Sequence, residues 1–177
     1  MRLLDILLGR TRPVPPDLDV LFAVPSASYT LQAAFGFEPT GAGAVCFKPA
    51  EGAASQQSQQ DIRALLGLDR TIEVSVTRDE FGFTWVTCRQ STVDVSALVT
   101  VLHAANATLA DAGFGSSLLC TVIAFAKRDD AGSHRLGLVY LFKRGTFYPF
   151  APTAGRARDT AVEMRVRAQL GDELPIE

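Results

Sequence analysis

The sequence predicts an α+β fold, an antiparallel β-sheet built from hairpins with helices packed on one side. Apolar residues alternate with period two over 71–77 and again over 83–88, as expected for a half-buried hairpin. Two apolar runs, 118–126 and 136–142, indicate a second hairpin, and segments of helical period separate the pairs. Hairpins divided by helices favour an antiparallel sheet over a doubly wound parallel one. We expect residues 1–177 to form one domain.

The first third of the chain is predicted to be mainly helical. Residues 1–16 read as a short helix followed by a proline-rich linker, and we expect both to belong to the same domain. Asp17 or Asp19 can cap a following turn, and Ser26 can cap a helix that ends at Gly36.

Alternating elements follow. We predict a strand over 44–48 that is opened by glycines at 41 and 43, and a helix from Ser55 or Ser58 to Gly67. The first hairpin then turns at 78–82.

The longest predicted helix starts at Asp94 as N-cap and ends at Gly113. Its apolar stripe should pack across the sheet. The stripe consists of Leu98, Leu102, Ala105, Leu109 and Ala112.

The second hairpin and a closing helix complete the prediction. The run 118–126 is apolar on both faces, which favours a central strand. We expect a turn over 127–134, a β-bulge at Gly145 and a last helix over about 153–170.

Composition and charge exclude several functional classes. The net charge of −2 is evenly distributed, with 8 basic and 10 acidic residues in 1–90 and 9 of each in 91–177, so nucleic acid is not an expected partner. The three cysteines lack CxxC spacing, and we interpret them as reduced core thiols of a cytoplasmic protein. The longest uncharged run, 20–37, is too polar to span a bilayer, and residues 1–8 lack a signal-peptide core, so we expect neither a transmembrane segment nor export.

The sequence contains no recognisable catalytic motif. Its two histidines, His103 on the long helix and His134 in the predicted turn, have no carboxylate or cysteine at ligand spacing. We therefore predict no cofactor, no metal ion and no enzymatic activity.

Two groups of residues are candidate protein-binding surfaces. Trp85 lies with Phe81 and Phe83 on the first hairpin, and aromatic side chains are enriched in interface hot spots, although filling the core beneath the long helix explains them as well. The second group is a basic surface with exposed aromatic side chains, which suits an acidic helix of a partner protein or an anionic membrane. An ordinary solvated helix of this chain is the alternative explanation. This second group contains Phe147, Tyr148, Arg156, Arg158 and Arg165, with Lys143, Arg144 and Arg167 nearby.

Four segments resemble a known family. They are LLDILLGR, the following PVPPDLDVLFAVPSASYTLQAAFGFEPTGAGAVCFKP, EVSVTRDEFGFTWV and LVYLFKRGTFYPFAP. Together they are similar to the actinobacterial PspA-associated proteins of the PspAB type. The resemblance implies a cytoplasmic accessory protein that acts beside PspA, the phage-shock coiled-coil protein that guards membrane integrity, and beside a membrane metalloprotease of the HtpX type. The order of elements also resembles type III secretion chaperones and YbjN-like proteins.

Three functions stay open at this point. The first is an adaptor that binds a protein partner such as PspA, with a homodimer favoured by the chaperone analogy. The second is a small-molecule-binding domain or enzyme whose pocket no motif reveals. The third is peripheral membrane contact through the leucines of residues 1–12 and the arginines among them.

Overall fold

The computed structural model describes residues 17–48, 72–129 and 132–177. Within these ranges the chain starts with a 3₁₀ turn, Leu18–Ala23, whose N-cap Asp17 accepts a hydrogen bond from the Asp19 amide. The turn continues directly into helix α1, Val24–Phe35.

Helix α1 ends at the predicted position and begins earlier than the predicted N-cap Ser26. Its C-cap Gly36 has φ +73°, a left-handed conformation that glycine adopts without strain. The predicted N-cap Ser26 is wrong, because Pro25 occupies the first turn, where the missing amide costs no hydrogen bond.

Six strands form one sheet in the order β2-β3-β1-β4-β5-β6, and every neighbouring pair is antiparallel. The strands are β1 Glu38–Phe47, β2 Ile72–Arg78, β3 Thr84–Gln90, β4 Leu118–Asp129, β5 Gly132–Leu141 and β6 Thr146–Phe150. The predicted α+β class and the central position of β4 are confirmed, since β4 lies between β1 and β5. The first hairpin, β2–β3, is also confirmed.

Three boundaries differ from the prediction. Strand β1 begins at Glu38, because a register shift between Pro39 and Gly43 lets the glycines lie inside the strand. The turn between β4 and β5 is far shorter than 127–134, since Asp129 already pairs with Gly132. Gly145, φ +69°, lies in the turn between β5 and β6 and is not a bulge.

Helix α2, Val95–Leu109, packs on the sheet as predicted. The N-cap Asp94 accepts a hydrogen bond from the Ala97 amide at 3.0 Å. Its stripe is buried from Leu98 to Leu109, whereas Ala112 lies in a following turn that contains Gly113, φ +91°. By length and composition the stretch Val95–Ser117 could cross a membrane, with mean hydropathy 1.2, but its buried stripe is what a core helix presents.

The last helix, α3, is shorter than predicted. It spans Thr160–Leu170, and its N-cap Asp159 accepts from the Val162 amide. The prediction of a helix from about residue 153 is wrong, and Arg156 and Arg158 lie in the loop before it. After α3 the chain returns to the sheet, where Phe147 exchanges backbone hydrogen bonds with Pro175 and Glu177 at the outer edge of β6.

Two predicted elements lie outside the described residues. They are the short helix and linker of 1–16 and the helix from Ser55 or Ser58 to Gly67. The predicted contact of residues 1–12 with a membrane also falls there.

Candidate protein-interaction surface

The sheet has two faces of different character, which we call the first face and the second face. Residues on the first face form the core, and they include Val45, Val86, Ile123, Leu138 and Phe147, each fully buried or nearly so. Their neighbours in sequence point the other way, because side chains alternate along a strand.

Helix α2 covers the first face closely. A Cβ atom added to Gly43 would lie 2.7 Å from Leu102 Cδ1, so the helix side chain touches the backbone of β1. The buried Asn106 amide donates to the Leu102 carbonyl and to Thr121 Oγ1, both at 2.8 Å. These contacts fix α2 across β1 and β4.

Two rows of uncharged side chains cross the second face from edge to edge. The strand register places the members of each row directly opposite one another. One row is Ser75, Thr87, Ala44, Val122, Val139 and Tyr148, and the other is Thr77, Trp85, Cys46, Cys120, Leu141 and Thr146.

Most of these side chains keep partial contact with solvent. Cys46 and Val139 are buried, Thr77 is exposed, and the other nine are half-buried. Among the described helices, α2 is the main one to contact the central strands, and it lies on the first face. Within the described residues the central part of the second face is therefore an uncharged surface that no helix layer covers, and such surfaces are typically buried against another element.

Charged residues flank the two rows toward the strand ends, and three of the four named here are basic. Arg89 stands opposite Glu73 on the first hairpin, and Arg128 and Arg135 lie on the second face at the tip of the β4–β5 hairpin. All four are exposed. A partner with an apolar stripe flanked by acidic residues would match this arrangement.

Trp85 lies on the second face and not beneath the long helix. Its indole Nε1 donates to Asp79 Oδ2 at 3.0 Å. Asp79 also accepts from the backbone amides of Phe81 and Phe83, and the Trp85 bond together with these holds the pKa of the carboxyl below its usual value. The Trp85 ring is thus held in a fixed position at the edge of the surface.

The two aromatic residues predicted from β6 point to opposite faces. Phe147 is fully buried against Tyr140, with ring centroids 5.3 Å apart, so its expected exposure is wrong. Tyr148 is half-buried at the end of a second-face row. Burial raises the pKa of its hydroxyl.

The predicted arginines do not form one surface. Arg158 makes two hydrogen bonds of 2.9 Å from Nε to the buried carboxylate of Glu163, which also accepts from the Ala151 amide at 2.8 Å. This pairing raises the pKa of Arg158. Arg165 stacks on Phe35 of α1, 5.4 Å from the ring centroid, and Arg156 is exposed in the loop.

Each histidine does have a carboxylate partner, which sequence spacing did not reveal. His103 Nε2 lies 3.2 Å from Asp19 Oδ1, and His134, on β5 and not in a turn, lies 3.0 Å from Asp129 Oδ1. Asp19 is 83% exposed, so the first pair lies at the open surface. The described residues contain no group of three or more side chains that could hold a metal ion.

Sequence reasoning missed the second face as a unit. The signal was present in the run 118–126, which is apolar on both faces, but this was interpreted only as burial inside the sheet. Trp85 and Tyr148 were singled out separately. Their strands are four positions apart, about 19 Å, and only the strand order shows that they lie on one face.

Fold and surface together define a helix-backed α+β protein whose six-stranded sheet carries two uncharged rows on the face away from α2. The chain belongs to the family of PspA associated protein B, whose family model matches residues 1–177. This agrees with the resemblance found in the sequence and links the protein to PspA. No curated protein and no solved structure matches the chain, so the likeness to secretion chaperones and YbjN-like proteins stays a prediction.

Proposed function

We propose that this protein is a non-enzymatic cytoplasmic accessory protein that binds PspA through the second face of its sheet. Membership of the PspA-associated family supports PspA as the partner. The observation that carries the proposal is the pair of uncharged rows crossing all six strands on the face away from α2.

The chemistry of the surface favours a helical partner. A sheet buries its second face most simply against helices, which gives a helix–sheet–helix sandwich. Half-buried side chains such as Val122 and Leu141 would contact the apolar stripe of that helix. The exposed Arg128 and Arg135 would meet acidic residues beside the stripe and speed association. Binding PspA in this way would place the protein in the membrane-stress response.

Arg158 is unsuited to a charge-reversal test of binding. Replacing it with a glutamate would leave the buried Glu163 beside a second negative charge, so lost binding would reflect lost packing. Exposed arginines on the second face avoid this problem. Arg135 and Arg89 are the appropriate positions.

The experiment compares matched charge reversals in a binding assay with purified PspA. We expect Arg135→Glu and Arg89→Glu to weaken binding, and Thr87→Glu, which places a charge within one of the uncharged rows, to abolish it. Arg165→Glu, which makes the same change of charge where α3 contacts Phe35 of α1, serves as the control. Thermal melting confirms that each variant is folded.

The outcomes separate the alternatives. Unchanged affinity in all three second-face variants, or loss of binding only in Arg165→Glu, would refute the proposed surface. Light scattering of the wild-type protein without PspA tests for a homodimer. If a dimer forms and Thr87→Glu dissociates it, a second copy of the chain and not PspA occupies the second face. A metabolite that raises the melting temperature would favour the ligand-binding alternative.

A further inference from the structure

Two free cysteines stand directly opposite each other on the second face. Cys46 on β1 is the register partner of Cys120 on β4. Directly opposed residues of antiparallel strands have Cα atoms about 4.5 or 5.5 Å apart, and both values lie within the range of about 4.4–6.8 Å that disulfides span. A bond between the two sulfur atoms therefore requires side-chain rotation and no movement of the strands.

The two thiols differ in environment. Cys46 is 3% exposed, whereas Cys120 is half-buried and reachable from the open side of the sheet. The interaction between the two opposed thiols lowers the pKa of Cys120 and raises that of Cys46. Because the thiolate is the reactive form, Cys120 is the attacking sulfur and Cys46 the resolving one.

The third cysteine provides an internal contrast. Cys88 lies on the first face, fully buried, and burial raises the pKa of its thiol to about 11. Cys88 stands opposite Gly43 and Val74 and not opposite another cysteine, so it lacks the arrangement of the other two thiols.

We propose that Cys46 and Cys120 form a redox-active dithiol that a hydroperoxide converts into a cross-strand disulfide. The Cys120 thiolate attacks the peroxide oxygen, the O–O bond breaks, and water or an alcohol leaves, so that Cys120 becomes a sulfenic acid. The Cys46 thiol then attacks the Cys120 sulfur and displaces water. The two sulfur atoms together lose two electrons, which reduce the peroxide, and a reducing thiol pool reverses the change.

The disulfide would form beside Trp85, so tryptophan fluorescence can report the reaction. Trp85 is the register partner of Cys46 on the other side of β1, so the disulfide would form next to a fixed indole. The indole is the chain's single tryptophan. Its fluorescence should change as the disulfide forms and recover on reduction.

The test uses the full purified chain, fully reduced and treated with one equivalent of hydrogen peroxide without any partner. Thiol titration in denaturant should fall from the three free cysteines toward one. Peptide mapping should show a 46–120 crosslink. Cys120→Ser should form no crosslink, Cys46→Ser should accumulate a sulfenic acid that dimedone traps at Cys120, and the matched control Cys88→Ser should behave as wild type.

Other outcomes overturn the proposal. Equal loss of all three thiols, crosslinks only between chains, or a wild-type peptide map without the 46–120 linkage would each do so. The wild-type map decides the matter even if a serine variant fails to fold. The result is independent of PspA binding, because no partner is present.

Discussion

The tight packing of α2 against Gly43 of β1 predicts a measurable effect of one added methyl group. Gly43→Ala places a Cβ atom 2.7 Å from Leu102 Cδ1 and 3.0 Å from the Val122 carbonyl oxygen. Leu102 is fully buried and the carbonyl belongs to a paired strand, so neither can move away freely. Overpacking of this kind costs about 1–3 kcal/mol.

A smaller opposing effect must be subtracted. Replacing glycine with alanine restricts the unfolded chain and stabilises the native state by about 0.4–1 kcal/mol. We therefore expect Gly43→Ala to lower the free energy of unfolding by about 0.5–2 kcal/mol, or several degrees in melting temperature for a chain of this size. Urea denaturation followed by Trp85 fluorescence measures it.

A second substitution tests whether the clash with Leu102 causes the loss of stability in Gly43→Ala. Leu102→Val shortens the clashing side chain, so the loss in Gly43→Ala/Leu102→Val should be smaller than the sum of the single losses. Gly137→Ala is the matched control on the second face, since the closest atom to its added Cβ is the side-chain Cγ1 of Val122 at 3.2 Å, and its other neighbours are at ordinary contact distance, 3.8 Å or more. Strict additivity, or a Gly43→Ala protein as stable as wild type, would refute the placement of α2 on β1.

Three further predictions concern polar side chains. Glu163→Ala should destabilise by about 1.5–3 kcal/mol, because the Ala151 amide loses a charged acceptor at 2.8 Å; urea denaturation measures this, and an unchanged midpoint would contradict it. Asp94→Ala should cost about 1 kcal/mol through loss of the α2 N-cap, while Asp94→Asn, which keeps an acceptor, should cost less in the same assay. Burial and the nearby Asp17 raise the pKa of Tyr140 from 10 to about 12, so the folded state retains that proton longer than the unfolded chain. The protonated Tyr140 hydroxyl therefore contributes fully to the stability of the folded state below about pH 10, and this contribution is lost as the pH rises toward 12. The melting temperature of Tyr140→Phe should accordingly fall less steeply at alkaline pH than that of the wild type.

Local patterns in the sequence determined most of the elements. Alternation over 71–77 and 83–88 corresponds to β2 and β3, and a charge-free run marks the central strand β4. The caps at Asp17 and Asp94 were predictable because a side-chain oxygen before a helical segment satisfies its free amides locally. The last helix was predicted seven residues too early, since alanines and arginines at 154–158 fit a helix equally well until Arg158 pairs with Glu163 and holds the loop.

The candidate site depended on contacts that no local pattern encodes. Residues such as Cys46 and Cys120 are 74 positions apart, and only the pairing of β1 between β3 and β4 places them opposite each other. Trp85 and Tyr148 share a face for the same reason, whereas Phe147 beside Tyr148 points into the core. The sequence alone determined which segments become strands and helices, because that depends on neighbours along the chain. The tertiary structure alone decided which side chains meet, because strand order and register are set by packing between distant segments.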